Sequence, residues 1–263
     1  MKHLVDEIPK DTYWAPSVVE GGTWLEPNGR SWFAQHGQDV AVAKALEFRR
    51  NGYFVDLAAN DAIWASNTFV LEQHFGWEGI CIEANPIYWY RLAHRNCHAV
   101  GAIVGTDGTD GADIQVRLST DRIHAPTGGI VGDEFDNKTP KRKQRQQQDL
   151  EHRYSVSLRT ILRKFQAPKT IDYLSLDVEG AEYFIMKGFP FEEYTFLVLT
   201  IERPSDELQA LLKANGYQMV LKIKRGDTLW VHGTIYESAS NNLKQNPSEI
   251  NSHRVDSVPP PPQ

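Results

Sequence analysis

Tyr53-Phe54-Val55-Asp56-Leu57-Ala58-Ala59-Asn60-Asp61-Ala62 is the stretch on which the fold turns. It is short and apolar, it reaches a carboxylate, and small residues follow. A second stretch, Gly79-Ile80-Cys81-Ile82-Glu83-Ala84-Asn85-Pro86, repeats the pattern. A strand covered on both faces must be apolar along its whole length. Such runs therefore predict parallel strands, each delivering an acid to the carboxyl edge of a sheet, where open α/β folds bind ligands. The chain between Asp56 and Glu83 is long enough for a loop, a helix and the next strand. Glu83 is then expected beside Asp56, where it could accept both hydroxyls of a ribose, and the pattern predicts a site for a nucleoside-containing cofactor.

The loop after the first strand bears on which cofactor. A dinucleotide site calls for G-x-G-x-x-G, so that backbone amides can approach a pyrophosphate at a helix start. Here the loop Asp56-Leu57-Ala58-Ala59-Asn60-Asp61-Ala62 has no glycine and carries two acids. Negative charge disfavours a pyrophosphate and suits a cationic ligand such as S-adenosylmethionine (SAM). An acidic strand end that merely caps a helix is the plainer alternative.

The chain has 263 residues and 41% apolar content, enough for one α/β domain with a substantial core. Its net charge of −6 argues against nucleic acid or an anionic membrane as partner. The basic run Lys141-Arg142-Lys143-Gln144-Arg145 lacks interleaved aromatics and reads as a solvated loop. No apolar run approaches the roughly 20 residues that span a bilayer, and the N-terminus lacks a signal-like apolar segment, so a soluble cytoplasmic protein is expected. Cys81 and Cys97 cannot build a disulfide framework or a zinc site, and Cys81, inside a strand, reads as a plain core thiol.

Apolar periodicity predicts a helix over 39–49, then strand and helix in alternation from residue 53 to 104, as in a parallel sheet. The pattern breaks from 107 to 152, with a possible strand at 114–118 and a Gly-rich loop at 128–132 that could act as a lid. It resumes with a helix at 156–165, a strand at 171–176, a short helix from Gly180 and a strand at 196–201. Pro204-Ser205 then starts a helix that continues to 215. Two strands at 217–224 and 228–233, joined by Arg225-Gly226-Asp227, must be antiparallel because the turn is so tight.

With these elements placed, the chain resembles the FkbM family of SAM-dependent methyltransferases from about residue 34 to 232. The resemblance rests on Gln35-His36-Gly37-Gln38-Asp39, Phe54-Val55-Asp56 through Ser66-Asn67-Thr68, Trp77 through Pro86, Gly128-Gly129-Ile130-Val131-Gly132, and Asp172 through Glu182, in that order. It departs from the family at Ala58 and Ala62, where glycine is usual. The resemblance implies a class I (Rossmann-like) methyltransferase fold: a mostly parallel seven-stranded sheet with a C-terminal antiparallel hairpin strand and helices on both faces. It also implies O-methylation of a small hydroxylated molecule, often a sugar or polyketide, and for this chain a sugar or glycan acceptor is expected. The domains expected are an irregular arm at 1–33, a methyltransferase domain at 34–236 and a disordered Pro-rich tail at 237–263.

Candidate cofactor contacts are Gln38, Asp56, Ala58, Asn60, Asp61, Glu83, Ala84, Asn85 and Asp177. Methyl transfer needs alignment of acceptor oxygen and methyl carbon, and removal of the acceptor's proton. Asp177 and Glu202 each end a predicted central strand, so one could serve as base, or the pair could share a divalent cation such as magnesium or manganese. Glu202 paired to Arg203 or Arg225 is the structural alternative. Glu179 and His232 are further catalytic candidates, against helix-end stabilisation and a structural histidine respectively. Two other functions compete: a catalytically silent nucleotide-fold binding module, and an NAD-dependent oxidoreductase.

Overall fold

A computed structural model describes residues 6–7, 32–119, 127–136 and 150–244. The elements are β1 (Asp6–Glu7), α1 (Gln38–Ala45), β2 (Tyr53–Leu57), α2 (Phe69–Phe75), β3 (Glu78–Glu83), α3 (Trp89–Leu92), β4 (His98–Gly101), β5 (Ile103–Gly105), β6 (Asp113–Arg117), β7 (Gly129–Ile130) and β8 (Leu150–Ser157). They continue with α4 (Leu158–Lys164), β9 (Thr170–Leu176), α5 (Glu182–Met186), β10 (Thr195–Ile201), α6 (Asp206–Ala214), β11 (Tyr217–Lys222), β12 (Thr228–His232) and α7 (Tyr236–Lys244).

The central sheet has the order β1-β4-β3-β2-β9-β10-β12-β11. Strands β4, β3, β2, β9 and β10 run parallel, and β12 inserts antiparallel between β10 and β11. Without the two-residue β1, this is the seven-stranded, mostly parallel sheet with a closing hairpin read from the sequence. The sheet reverses direction of growth between β2 and β9, the switch point at which open α/β sheets bind ligands.

The apolar runs form these strands because both faces are covered. Alternate residues of β2 enter different cores: Val55 and Leu57 pack with Ile161, Leu162, Ile185 and Leu208 on one face, and Phe54 packs with Ala41, Leu71 and Ala239 on the other. Ser157 and Ser205 cap α4 and α6 by accepting the amides of Thr160 and Leu208.

Three features differ from the sequence reading. Chain expected to be irregular between 107 and 152 forms, with its flanks, a second sheet of order β5-β8-β6-β7. Strand β8 gives no strand pattern in the sequence, because only its last residues, Ser155, Val156 and Ser157, are fully buried and Glu151, His152 and Arg153 interrupt the rest. The tail expected to be disordered from 237 begins instead as helix α7, Tyr236–Lys244, which lays Ala239 and Leu243 against the core beside α1. Cys81 is no free thiol: it is bonded to Cys97, with Cα atoms 6.0 Å apart, because Cys97 leads into β4 and β4 pairs with β3. The arm before residue 32, the basic run at 141–145 and the proline-rich end lie outside the described residues, apart from the two residues of β1.

Candidate active site

A cavity of about 640 Å³ opens at the carboxyl edge of β2, β3 and β9. The loop after β2 forms one wall with Asp56, Ala58, Asn60 and Asp61; the end of β3 adds Glu83, Ala84 and Asn85. Ile82, Ile103, Val104, Leu118, Ile130 and Ile185 make an apolar flank. Asp177, Glu179 and Glu202 stand at its acidic end.

The loop after β2 achieves its shape at a local cost. Ala58, Asn60 and Ala65 have φ of 64°, 55° and 58°, the left-handed region that L side chains avoid. Ala58 thus adopts the conformation that a glycine in its place would take freely, whereas Ala62 is simply buried and has no such φ. Both long-range and local bonds hold the strained turn. The Asn60 amide donates to Glu83 Oε2 at 2.8 Å, and Asp61 Oδ1 accepts from Ile63 and Trp64. The other Asp61 oxygen pairs with Arg91 at the cavity wall.

Glu83 is 5% exposed, and its Oε1 accepts the Asn85 amide at 2.6 Å. Burial pushes its pKa up to about 7, against the lowering effect of those amides. Each oxygen keeps a lone pair free for a further donor. Asn85 itself is mostly structural, accepting from Ile87 and donating to the Ser119 carbonyl at 2.8 Å.

Asp56 lines the cavity with only 2% of its surface exposed. Thr68 Oγ1 donates to its Oδ2 at 2.6 Å, and Arg95 donates to Thr68 while also pairing with Glu72. Burial raises the Asp56 pKa; Thr68, Arg95 and Ser175 act in the opposite direction.

Asp177 and Glu202 come together because Leu176 and Ile201 are partners in the β9–β10 register and each acid follows immediately. Carboxylate oxygens of Asp177, Glu179 and Glu202 lie within 4.8 Å of one another. Burial, and next the charge of Glu202, raise the Asp177 pKa well above the usual carboxylate range. Burial and Glu202 likewise push Glu179 up to about 7. Arg203 offsets part of this charge: its Nη2 reaches Glu202 at 2.7 Å, Asp136 at 2.6 Å and Glu179 at 3.6 Å. The Arg203 partner foreseen for Glu202 is therefore present, yet Glu202 Oε2 remains buried without a hydrogen-bond donor.

Two candidates fall outside the cavity. Gln38 is spent on structure, donating to Asp227 Oδ2 at 2.9 Å and accepting the His36 amide; Gln35 takes the place at the cavity wall. His232 is at the wrong edge. Because β12 is antiparallel, its end lies beside the start of β10, where His232 packs on Tyr217 and bonds Thr234. The beginning of that hairpin strand instead brings Asp227 towards Asp177 and Glu202, and burial followed by Glu202 pushes Asp227 up to about 6. In the Gly-rich segment, Gly129–Ile130 pairs with β6, and Gly128, Gly129 and Ile130 line the cavity.

Sequence reasoning gave no role to Trp64, Asn67 or Arg91, all at the cavity wall. Asn67 was within reach, because it sits in the quoted run Ser66-Asn67-Thr68.

The sequence matches the family Methyltransferase FkbM domain over residues 56–219, well over half of the chain. The chain belongs to this family. It is a methyltransferase by family, and the matched span holds every acid of the cavity described above. Solved structures with some likeness include precorrin-6y C5,15-methyltransferase from Geobacter metallireducens GS-15, at 12% identity and TM-score 0.36, covering 74% of this chain and 85% of that one. Another is the Methanococcus jannaschii fibrillarin pre-rRNA processing protein, at 9% identity and TM-score 0.35, covering 79% and 85%. At those scores neither bears on function. No curated protein matches the chain.

Proposed function

We propose that this FkbM-family chain is a SAM-dependent O-methyltransferase whose acceptor is a hydroxyl of a small molecule, a sugar or glycan. The observation that carries the reading is a single cavity with an amide-anchored carboxylate, Glu83, at one end and the acid set Asp177, Glu179 and Glu202 at the other. Its volume falls within the ~300–1,000 Å³ range of small-molecule sites.

The residues present fit SAM. Glu83 has free lone pairs for two ribose hydroxyls, Ile103, Leu118 and Ile130 offer an apolar bed for a purine, and the surrounding carboxylates favour a cation. SAM supplies an electrophilic methyl group on a sulfonium centre. The work left to the protein is alignment and proton removal. Asp177 is the base in this reading: buried beside Glu202, its ionised form is unusually avid for a proton. Arg203 places a positive charge against Glu202 and Glu179 in the same small space. Asp177, Glu179 and Glu202 also form an all-oxygen set of the type that holds magnesium or manganese, which would acidify a bound hydroxyl.

Calorimetry with SAM, S-adenosylhomocysteine and NAD tests the cofactor, and labelled SAM with a panel of sugars and glycans tests the acceptor. The expected result is SAM binding and label on a hydroxyl. NAD binding without SAM binding overturns the reading. Among the described residues no helix is long and apolar enough to cross a membrane.

A further inference from the structure

Residues 33–38 form a strap tied down at both ends. Asp39 Oδ2 accepts the amides of Phe33 and Ala34 at 2.7 and 3.0 Å, and Ala34 makes a parallel bridge to Ala65 in the loop after β2. At the other end Gln38 donates to Asp227 Oδ2 at 2.9 Å. Thr228 and Ile201 are partners in the antiparallel β10–β12 register, so Asp227, just before Thr228, stands across from Glu202, just after Ile201. In sheet order β9 and β10 lie between β2 and β12. The strap is therefore anchored on either side of the strand ends that carry Asp177 and Glu202. Glu83 ends β3, on the far side of β2. The strap belongs to the acid end of the cavity and not to the ribose end.

Within the strap Phe33 and Ala34 are buried, whereas Gln35 is exposed and lines the cavity. Trp64, beside the bridging Ala65, is half-buried and lines the same cavity. Its ring packs on Phe33 with centroids 6.2 Å apart, and its amide donates to Asp61 Oδ1 at 2.9 Å. Among the described residues neither the Gln35 amide nor the Trp64 indole N–H has a hydrogen-bond partner. Backbone bonds and packing thus place two side chains at the cavity wall while their own polar groups stay open to a ligand.

We infer that Trp64 and Gln35 form the acceptor subsite, where a pyranose ring lies on the Trp64 indole and its hydroxyls bond the Gln35 amide; the assignment rests on the sugar reading above. Two features select a sugar ring. A pyranose has an apolar C–H face, which suits an aromatic surface, and a rim of hydroxyls that both donate and accept. The Gln35 amide offers two N–H donors and a carbonyl acceptor to that rim, and the indole N–H adds a donor. Gln35 is also neutral, and it stands near Asp177, Glu179 and Glu202, where an anionic acceptor is disfavoured. A ring held under the strap presents a further hydroxyl to those acids for proton removal.

Methyl transfer from labelled SAM to the methyl glycosides of glucose, galactose, mannose and rhamnose tests this, with catechol as a planar phenol for comparison. Calorimetry with S-adenosylhomocysteine follows the cofactor site separately. In the wild type, label on a methyl glycoside is expected; label on catechol alone, or on none of these, defeats the sugar reading itself before any variant is compared. Trp64→Leu and Gln35→Ala should then raise KM for the labelled glycoside on the order of tenfold, with kcat changed less. Their affinity for S-adenosylhomocysteine should be unchanged, which also shows that both variants fold. Trp64→Phe, which keeps an aromatic surface, should retain most of the wild-type KM. Equal losses in Trp64→Phe and Trp64→Leu would reduce Trp64 to a packing partner of Phe33 and overturn the stacking. Unchanged KM in Trp64→Leu and Gln35→Ala overturns the subsite, and weakened S-adenosylhomocysteine binding in both overturns it in favour of a cofactor contact.

Discussion

At the scale of single residues, the cavity is made by side chains held in costly states. Ala58 sits at φ 64°, where a Cβ is disfavoured by roughly 1–2 kcal/mol. Ala58→Gly should keep or slightly raise the melting temperature, because relief of the clash is partly offset by the greater freedom of glycine when unfolded. Ala58→Val, β-branched at the same φ, should lose on the order of 1–2 kcal/mol in urea denaturation. Equal stability of the two variants would mean that the loop relaxes out of this conformation. Glu83 is the second case. Its pKa of about 7 means that the carboxylate is half-ionised near neutrality. SAM affinity should therefore tighten as pH rises from about 6 to 8, and Glu83→Gln should bind more weakly and lose that dependence. Asp177 gives a third test. Asp177→Asn should keep fold and SAM binding while turnover drops about 10²-fold or more, the scale of a lost general base. Activity abolished by EDTA and restored by magnesium would assign the acid set to a cation; activity that survives both the chelator and Asp177→Asn would leave Asp177 structural.

At the scale of elements, the hairpin and the last helix decide who reaches the site. Strand β12 runs against β10, so Asp227 at its start faces the acid set and His232 at its end does not. A histidine at the end of a strand was legible in the sequence; the edge to which that strand would carry it depended on direction. Helix α7 was missed for a related reason. Its sequence Tyr236-Glu237-Ser238-Ala239-Ser240-Asn241-Asn242-Leu243-Lys244 is polar but for a few positions, and Ala239 and Leu243, four apart, are the pair that dock on the core. Leu243 is 6% exposed, so Leu243→Ala should cost about 2–3 kcal/mol in denaturant unfolding, the lower range for a buried leucine. An unchanged midpoint would return this stretch to a tail without packing.

At the scale of the whole molecule, the fold withdraws from water acids, inside the cavity and outside it, that the unfolded chain would expose. Glu83, Glu179 and Glu182 are each raised to about 7, and Asp39 and Asp227 to about 6, in every case chiefly by burial. The folded protein therefore holds protons that the unfolded chain, with ordinary carboxylates, gives up first. Stability from these groups is fully present below the ordinary carboxylate range near pH 4 and is lost as pH rises through about 6–7. The melting temperature of the ligand-free protein should fall between pH 5 and 8, and Glu182→Gln should shallow that fall. A melting temperature that climbs over this interval would contradict the burial of these acids. The sequence by itself determined the central sheet and the acids at its edge, because a strand covered on both faces must be apolar throughout and its last residue is local to the run. Asp56, Glu83, Asp177 and Glu202 were found that way. Tertiary structure alone decided the second sheet, the Cys81–Cys97 bond and the diversion of Gln38 to Asp227. Each of these depends on a partner far along the chain, and the choice among distant partners is made by packing and strand direction, which local spacing does not encode.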